Sequence, residues 1–405
     1  MAARPHVVVI HRWLARYAEY ERYIDHGEYA VTYVTTEVGA PSVPASAAGI
    51  AVVAATDDLP AVADRIKQFA EDHGPPAGIV ALKEDDLLVA ARLRAEWDCP
   101  GPAAGELRPF LDKLDMVRAV SAAGLPAPAF APAPGPDAVA AFAGRHGWPV
   151  IVKPRTGSAS DGVSKLDGPE ALAGVEFDPD RPMLAQVFDP RPIFHVDGYF
   201  DGVGPRPLRA SRYLNNCLDF RSGEVLGSVE EDDPALVAAI GAFTARVLSA
   251  LSPGRPLVFH LELFVDPATG ECGFLEVGAR VSGAEIPFLW REVYGHDLMD
   301  TAFRLALGER PSPVAIPADA DVAGYLLVPA PAARPCRITE ATPMTGRTPE
   351  LYTEVLLRPG EILPAVDGYY EHVGGRFRFR GGDSATVQAA IEATARDFRV
   401  SAEPL

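Results

Sequence analysis

The first hundred residues alternate short apolar runs with longer amphipathic segments. The strand-like runs lie at residues 7–10, 29–35, 50–55 and 79–82, and the helix-like segments lie at residues 13–26, 58–69 and 84–97. Asp57 or Asp58 is placed to cap the second of these helices. Alternation of this kind predicts a parallel sheet covered by helices, a Rossmann-like α/β domain.

The remainder of the chain has a different pattern. A helix is predicted at 108–123, a proline-rich segment occupies 126–136, and a compact α+β segment with a strand at 150–153 reaches about residue 184. Strand-like runs then follow at 194–201, 208–214, 257–265 and 272–277, with helices at 234–251 and 384–397. With 405 residues, we expect several packed domains, with boundaries at 1–108, 109–185, 186–312 and 313–405.

The overall charge restricts the partners of this chain. A formal net charge of -18 argues against nucleic acid or an anionic membrane surface as a partner. The start of the chain does not have the pattern of a signal peptide, and no uninterrupted apolar run reaches membrane-spanning length. The four cysteines have no metal-site or disulfide spacing, so we expect a cytoplasmic protein with reduced thiols.

Two lysines stand in apolar surroundings. Lys113 lies on the helix that ends at Gly124, and Lys153 follows the apolar strand residues 149–152. An ammonium group at such a position needs either an anion or a route to water, because burying it unpaired is costly. Either outcome is compatible with the sequence alone.

Directly after Lys153 comes a segment of small residues, Thr156-Gly157-Ser158-Ala159-Ser160-Asp161-Gly162-Val163. Small residues let backbone N–H groups approach an anion, as in loops that bind phosphate. The segment is not a P-loop, because no Gly-Lys-Ser/Thr follows it. Its position after the lysine favours a phosphate-binding loop over an ordinary turn.

A predicted hairpin carries the third cluster. If it closes symmetrically about Thr269, Glu262 faces Glu276 across the two strands, at about 5 Å. Two carboxylates that close repel each other unless a cation lies between them or one is protonated. Arg280 follows four residues later. The apolar neighbours favour a buried site over a solvated face, and the lysines, loop and carboxylates together suit magnesium-nucleotide binding and phosphoryl transfer.

Over roughly residues 80–300 the chain resembles ATP-grasp ligases, in particular amino-acid and dipeptide ligases. The resemblance lies in a series of motifs in the family's order: Glu84 with Pro100-Gly101, Asp112-Lys113 with Gly124-Leu125-Pro126, residues 149–154 with the small-residue loop, Gln186-Val187-Phe188, His195-Val196-Asp197-Gly198, His260-Leu261-Glu262 and residues 276–283. It implies an ATP-grasp fold, with an N-terminal domain, a small lid and a central antiparallel sheet, and a C-terminal subdomain packed on the central one.

The resemblance also implies roles for individual residues. ATP would be bound by Lys113, Lys153, the loop residues Ser158, Ser160, Gly162 and Val163, the adenine hinge Gln186 to Phe188, and Asp189 and His195. Glu262 and Glu276 would bind Mg²⁺, and Arg280 with Lys153 would be catalytic. The substrate would contact Glu84, Arg280, Ser282, Gly283 and Glu285.

Two positions depart from the family pattern. Gly278 stands where many relatives have an asparagine beside the second metal ligand, so one magnesium ion would have fewer protein ligands. Ile193 stands where many relatives have a glutamate on the ribose, which leaves Asp189 or His195 as substitutes.

The implied activity is amide formation between a small carboxylate, such as an amino acid, and an amine, through an acyl phosphate and with release of ADP and phosphate, in specialised metabolism. A different acceptor, as in carboxylases or thiol-forming ligases, and a regulator without catalysis are the alternatives. The expected partners are the two small substrates, and a homodimer is one option. Arg376, Arg378 and Arg380 alternate along one predicted strand, where a solubilising edge strand is favoured over a substrate-carboxylate site.

Overall fold

The N-terminal part of the chain folds around a parallel sheet. The computed structural model describes residues 4–365 and 373–405, except residues 159, 216, 313 and 318. The four strands and the helices that follow are β1 (His6–His11), β2 (Ala30–Thr35), β3 (Gly49–Val52), α1 (Leu59–His73), β4 (Pro76–Ala81), α2 (Leu87–Trp97), α3 (Ala104–Leu107) and α4 (Lys113–Ala122). The strand order is β3-β2-β1-β4, all parallel, as the alternation predicted. Asp58 caps α1, because its carboxylate accepts a hydrogen bond from the Ala61 N–H at 3.2 Å.

The helix predicted at residues 13–26 is wrong. Only two single turns of 3-10 helix form there, Ala15–Tyr17 and Tyr20–Arg22. The side chains of this segment contact different parts of the protein: Tyr20 is buried against the parallel sheet, whereas Trp13 and Tyr17 line a cavity. Tertiary contacts outweigh the local periodicity here, in a segment rich in aromatic residues of modest helix propensity.

A second, smaller sheet follows. Its elements are β5 (Phe130–Pro132), α5 (Pro136–His146), β6 (Val150–Pro154), β7 (Ser164–Leu166) and β8 (Met183–Val187), with strand order β5-β8-β6-β7. Helix α5 packs on one face, and its Val139 and Phe142 share a core with Val150 and Val152. Between β7 and β8 the chain forms a 3-10 helix, Pro169–Gly174.

The largest element of the molecule is an eight-stranded antiparallel sheet. The elements of this part of the chain are β9 (Ile193–Phe200), β10 (Pro205–Tyr213), α6 (Cys217–Arg221), β11 (Leu226–Glu230), α7 (Pro234–Leu251), β12 (Leu257–Val265), β13 (Cys272–Gly278), α8 (Ile286–Glu292), α9 (Leu298–Ala306), β14 (Val322–Pro329), β15 (Cys336–Ala341), β16 (Leu351–Leu356), β17 (Ile362–Leu363), β18 (Val373–Gly381), α10 (Ser384–Asp397) and β19 (Val400–Pro404). The strand order is β13-β12-β9-β10-β11-β14-β18-β16, and β17-β15-β19 form a separate three-stranded sheet.

The position of strand β18 contradicts the prediction that it is a solubilising edge strand. It lies between β14 and β16, so it is an inner strand and not the edge strand predicted from its arginines. Arg376 and Arg378 are buried, whereas the Arg380 side chain is 52% exposed. The alternation itself is real: Phe377 and Phe379, on the opposite face, belong to the core beneath α10.

The hairpin of β12 and β13 pairs Glu262 with Glu276, as predicted. The register shifts by one residue between Glu262 and Leu263, so the pairing includes a β-bulge at Leu275. A bulge breaks the strict alternation of side chains. Leu275 and Glu276, neighbours in the chain, can therefore both line the same cleft.

The hydrophobic core shows which elements pack on one another. Helix α4 falls within the predicted segment 109–185, but its Met116, Val117 and Val120 pack in the core of the large sheet with α7. The four domain boundaries remain predictions. Within the described ranges, α7 is the one helix long and apolar enough to cross a membrane by length and composition, and its Ile240, Val247 and other apolar residues belong to this core.

Candidate active site

A cleft of about 600 Å³ separates the small sheet from the large one. Predicted site residues from both sheets line it: Lys113, Lys153, Ser158, Ser160, Val163, Gln186, Val187, Phe188, Asp189, Glu262 and Glu276. Two predicted residues, Gly162 and His195, are not among the lining residues. The cleft has the size of a small-molecule site.

Lys153 lies on β6 and is 4% exposed. Burial lowers the pKa of its ammonium group to about 8, against the attraction of Glu276. Lys113 is the first residue of α4, whose N-terminus is capped by Asp112. The Lys113 Nζ donates a hydrogen bond to the Gly157 carbonyl and lies 3.6 Å from Glu276 Oε2. Two cations therefore lie close to the carboxylates of the hairpin.

The small-residue loop connects β6 to β7 at the mouth of the cleft. Gly157 has φ of 106° and Ser160 has φ of 56°, so both adopt the left-handed conformation. A non-glycine residue in that conformation is typical of turns and of functional loops. Ala159 lies outside the described residues. Gly162 has φ of 69° and lies against Pro154 and Arg181, beside the cleft wall.

The predicted hinge lies on and after β8. Gln186 is 3% exposed, and the ammonium group of Lys165 lies 4.6 Å above the Phe188 ring. Asp189 accepts hydrogen bonds from Arg191, with 2.6 Å between Oδ2 and Nη2. Ile193 also lines this wall. This wall of the cleft is therefore largely apolar, and the Asp189 carboxylate at its end is oriented by Arg191.

Glu262 and Glu276 line the floor of the cleft. The Tyr213 hydroxyl donates a hydrogen bond to Glu262 Oε1 at 2.9 Å. Although burial opposes ionisation of Glu262, contact with His260 and Tyr213 holds its pKa below the usual value. Carboxylate oxygens are the ligands that Mg²⁺ prefers, and a divalent cation would offset the repulsion between the pair. The donor set therefore fits a magnesium ion.

A buried hydrogen-bond network lies behind Glu262 and contacts it through His260. Asp197 accepts from Nδ1 of His195 at 2.6 Å and from Nδ1 of His260 at 2.9 Å. His260 Nε2 lies 3.7 Å from Glu262 Oε1, and the other nitrogen of His195 bonds to Ser228. Burial disfavours the imidazolium, but Asp197 raises the pKa of His260 to about 9. His195 is thus part of this internal network, and the nucleotide contact expected of it is not supported by its position.

A second cavity of about 300 Å³ adjoins the cleft and shares Ser158, Ser160, Glu262 and Glu276 with it. Of the residues predicted for substrate, Glu84, Arg280, Ser282 and Gly283 line this cavity, and Glu285 does not.

Arg280 forms a hydrogen-bonded ion pair with Glu84. A β-carbon at Gly278 would lie 3.2 Å from Arg280 Cγ and 3.4 Å from Glu84 Oε2. The departure from asparagine at position 278 therefore leaves space for this pair. Glu285 is fully buried, where it binds arginines of other segments.

Sequence reasoning missed several residues of both cavities. Tyr213 and Cys217 line both, and Arg12, Arg16 and Tyr17 line the smaller one. Burial raises the pKa of the Cys217 thiol well above its usual value, so it is not a ready nucleophile. The alternation of β10 could have indicated Tyr213. The segment of Arg12 to Tyr17 carried no signal, because its periodicity indicated a helix.

The arrangement combines two cations, a small-residue loop and two opposed carboxylates beside an arginine. Such a site can bind a magnesium-nucleotide and stabilise charge on a transferring phosphoryl group. The adjoining cavity can hold a second small molecule next to that phosphoryl group.

Comparison with solved structures shows proteins of similar fold along the whole chain. An L-amino acid ligase from Bacillus licheniformis is 19% identical, with a TM-score of 0.76 and coverage of 99% of both chains. A biotin carboxylase from Campylobacter jejuni, as a beta-gamma-ATP complex, is 16% identical, with a TM-score of 0.69 over 98% of this chain and 92% of that one.

A phosphoribosylglycinamide synthetase from Anaerococcus prevotii is 10% identical, with a TM-score of 0.67, covering 98% of this chain and 99% of that one. No protein-family model matches the chain, and no curated protein matches its sequence. At these identities the likeness concerns the fold. The chain has the ATP-grasp fold, which the order of its motifs predicted.

Proposed function

We propose that this protein is an ATP-dependent carboxylate–amine ligase that forms an amide bond and releases ADP and phosphate. The substrates we propose are a small carboxylic acid, such as an amino acid, and an amine. The observation that carries the proposal is the junction of the two cavities at Glu262 and Glu276. A nucleotide in the cleft would direct its terminal phosphate to the place where a molecule in the smaller cavity begins.

The two cations would act on the phosphates. Lys153, buried on β6, and Lys113, at the start of α4, are placed to bind the phosphate oxygens. The pair of Glu262 and Glu276 would hold magnesium, which when bound neutralises phosphate charge. Ser158 and Ser160 would cover the phosphates from the loop, where they line both cavities.

Arg280 is the group proposed to stabilise the reacting carboxylate. Its guanidinium lines the smaller cavity and is oriented by Glu84. The substrate carboxylate would attack the terminal phosphate of ATP and give an acyl phosphate and ADP. The amine would then displace phosphate from the acyl carbon and form the amide. The phosphate is a good leaving group, so no serine or cysteine nucleophile is needed, in keeping with the raised pKa of Cys217.

The neighbouring folds support this choice. The structures most useful for comparison include a ligase of L-amino acids and a synthetase of phosphoribosylglycinamide. The likeness to a biotin carboxylase keeps a different acceptor open as an outcome of the test.

The test is a measurement of nucleotide products. The protein would be incubated with magnesium, ATP and pairs of amino acids, and ADP, AMP and phosphate would be quantified by chromatography. We expect ADP and phosphate in a 1:1 ratio with amide in at least one pair. AMP with pyrophosphate, or ADP formation that depends on bicarbonate and not on an amine, would refute the proposal.

A further inference from the structure

The smaller cavity contains a cation that the proposed chemistry does not use. Four lysine or arginine side chains line this cavity: Arg12, Arg16, Lys83 and Arg280. A cation beside a substrate cavity either is neutralised by the protein or attracts an anion from solution. The partners of each side chain distinguish these cases.

Three of the four are neutralised or already assigned. Arg12 lies 2.6 Å from Asp86, 3.1 Å from Asp57 and 3.7 Å from Asp85, and its Nε donates to Thr56. Lys83 lies 3.6 Å from Asp85. Arg280 pairs with Glu84 at the proposed site of the reacting carboxylate.

The positive charge of Arg16 is less completely compensated by carboxylates. Its Nη2 donates to Glu285 Oε1 at 2.6 Å. The same carboxylate has two further guanidinium neighbours, Arg376 at 3.3 Å and Arg378 at 3.3 Å. Arg378 also forms an ion pair with Glu292. Because Arg16 still shares the Glu285 carboxylate with two other guanidinium groups, its own charge is only partly compensated.

The guanidinium of Arg16 is also incompletely hydrogen-bonded. Its Nε is buried without a hydrogen-bond partner. Buried donors of this kind are rare in folded proteins, and leaving one unsatisfied is destabilising. An acceptor entering the cavity would relieve that cost if it reached the guanidinium.

Arg16 is held rigidly at the cavity wall. Its guanidinium carbon lies 4.6 Å from the centre of the Phe288 ring, and Arg378 lies 4.9 Å from the same ring. The adjacent Tyr17 hydroxyl donates to the Ala284 carbonyl at 2.7 Å. Ala284 has φ of 55°, a conformation that a non-glycine residue rarely adopts. A preorganised guanidinium is suited to binding a carboxylate through two parallel hydrogen bonds.

We infer that Arg16 binds the carboxylate of the amine substrate, which makes that substrate an amino acid rather than ammonia or a simple amine. The inference rests on the proposed function. The acid substrate must place its reacting carboxylate near Arg280 and the paired glutamates, on the wall formed by β12, β13 and the residues after them. Arg16 comes from the wall formed by the N-terminal segment. Trp13, Leu14 and Met299 line the same cavity and provide an apolar surface for the side chain of a small amino acid.

The experiment compares amines with and without a carboxylate. With the acid substrate saturating, each L-amino acid that supports ADP formation is compared as amine with its carboxamide. In the wild-type protein we expect the KM of the carboxamide to exceed that of the amino acid at least about 30-fold, because a charge-assisted bidentate contact is lost. In Arg16→Gln the ratio should fall close to one, mainly through a higher KM for the amino acid, and Arg16→Lys should lie between.

Arg22→Ala is the matched control, because Arg22 follows in the same segment with a side chain that is 53% exposed. It should keep the wild-type ratio. Thermal melting of each variant shows whether it folds, and the wild-type ratio is informative even if Arg16→Gln does not fold.

Equal KM values for amino acid and carboxamide in the wild type would overturn the inference, as would an unchanged ratio in folded Arg16→Gln. The inference would also be overturned if Arg16→Gln raised the KM only of acid substrates that carry a second carboxylate, and left the KM of the amine unchanged. Absence of ADP formation with every pair in the wild type would instead refute the proposed ligase.

Discussion

The two cavities of this molecule are assembled in different ways. In the larger cleft many of the lining side chains come from paired strands: Ile151 on β6 pairs with Gln186 on β8, and Glu262 pairs with Glu276. In the smaller cavity, Arg280 pairs with Glu84 over 196 residues, and Arg16 pairs with Glu285 over 269 residues. Paired strands therefore supply most of the proposed phosphoryl-transfer site, to which α4 adds Lys113. Contacts distant in the chain build the proposed substrate site.

This difference has a functional meaning under our proposal. Most residues proposed for phosphoryl transfer lie on the hairpin and around the small sheet. Substitutions there should therefore stop turnover with every substrate. The walls of the smaller cavity include the N-terminal segment, so changes there should alter which substrates react. Two variants test the proposed phosphoryl-transfer site, and two test the stability of the regions around the smaller cavity.

The largest effect is expected at the paired carboxylates. Glu276→Gln should lower kcat for ADP formation by about 1000-fold, since the site loses one of the two carboxylates proposed to hold the magnesium ion that offsets the phosphate charge. Folding should be unimpaired, because the substitution relieves repulsion from Glu262. Glu271→Gln, on the exposed end of the same hairpin, is the matched control for the rate assay. A Glu276→Gln protein with wild-type kcat would remove the hairpin from the reaction.

A smaller effect is expected at the buried lysine. Lys153→Met should reduce kcat/KM for ATP by about 100-fold, because a shielded charge-assisted contact to phosphate is lost. Steady-state kinetics with varied ATP would measure this. Lys67→Met, whose ammonium is on a side chain 56% exposed, should leave the ATP kinetics unchanged. Unchanged ATP kinetics in Lys153→Met would mean that the ammonium group of Lys153 does not contact the nucleotide.

The third prediction concerns stability near the smaller cavity. Arg378→Met should lower the free energy of unfolding by about 2.5 kcal/mol, because it removes a partner of the buried carboxylate Glu285. Arg380→Met, two residues along the same strand and 52% exposed, should change it by less than about 0.5 kcal/mol. Chemical denaturation gives both values. A change as small for Arg378→Met as for Arg380→Met would mean that the arginines around Glu285 do not stabilise the fold.

The smallest effect is a pH dependence of the N-terminal region. Burial lowers the pKa of His11 from 6.5 to about 4, and His11 hydrogen-bonds Tyr20 and Ser42 in the neutral form. The unfolded chain therefore binds the proton first as pH falls. This contribution is fully present above about pH 6.5 and is lost progressively toward pH 4. Between pH 7 and pH 5 the loss should be about 2 kcal/mol.

Denaturation at several pH values would measure this contribution as a difference between proteins. His11→Gln should have a flatter dependence than the wild type over this range, and His146→Gln, at an exposed position, should not. A His11→Gln protein with the wild-type pH dependence would contradict the assignment.

The parts of the molecule that were predictable are those in which neighbours in the fold are also neighbours in sequence. The pairing of Glu262 with Glu276 followed from hairpin symmetry, and the bulge at Leu275 preserved it. The inner position of β18 did not follow, because its pairing with both β14 and β16 is decided by tertiary packing and has no local sequence pattern. The segment at 13–26 has helical periodicity, but contacts such as Tyr17 with Ala284 determine its conformation. His195 shared the family motif, yet its partners Asp197 and Ser228 place it behind the site.

The central claim is that an acyl phosphate forms where the two cavities meet. The direct measurement uses an acid substrate labelled with ¹⁸O in its carboxylate, with mass spectrometry of the phosphate released during amide formation. Attack of the carboxylate on the terminal phosphate of ATP transfers one labelled oxygen to that phosphate. We predict one ¹⁸O atom in each phosphate released, and phosphate without label, or label in AMP, would contradict the account.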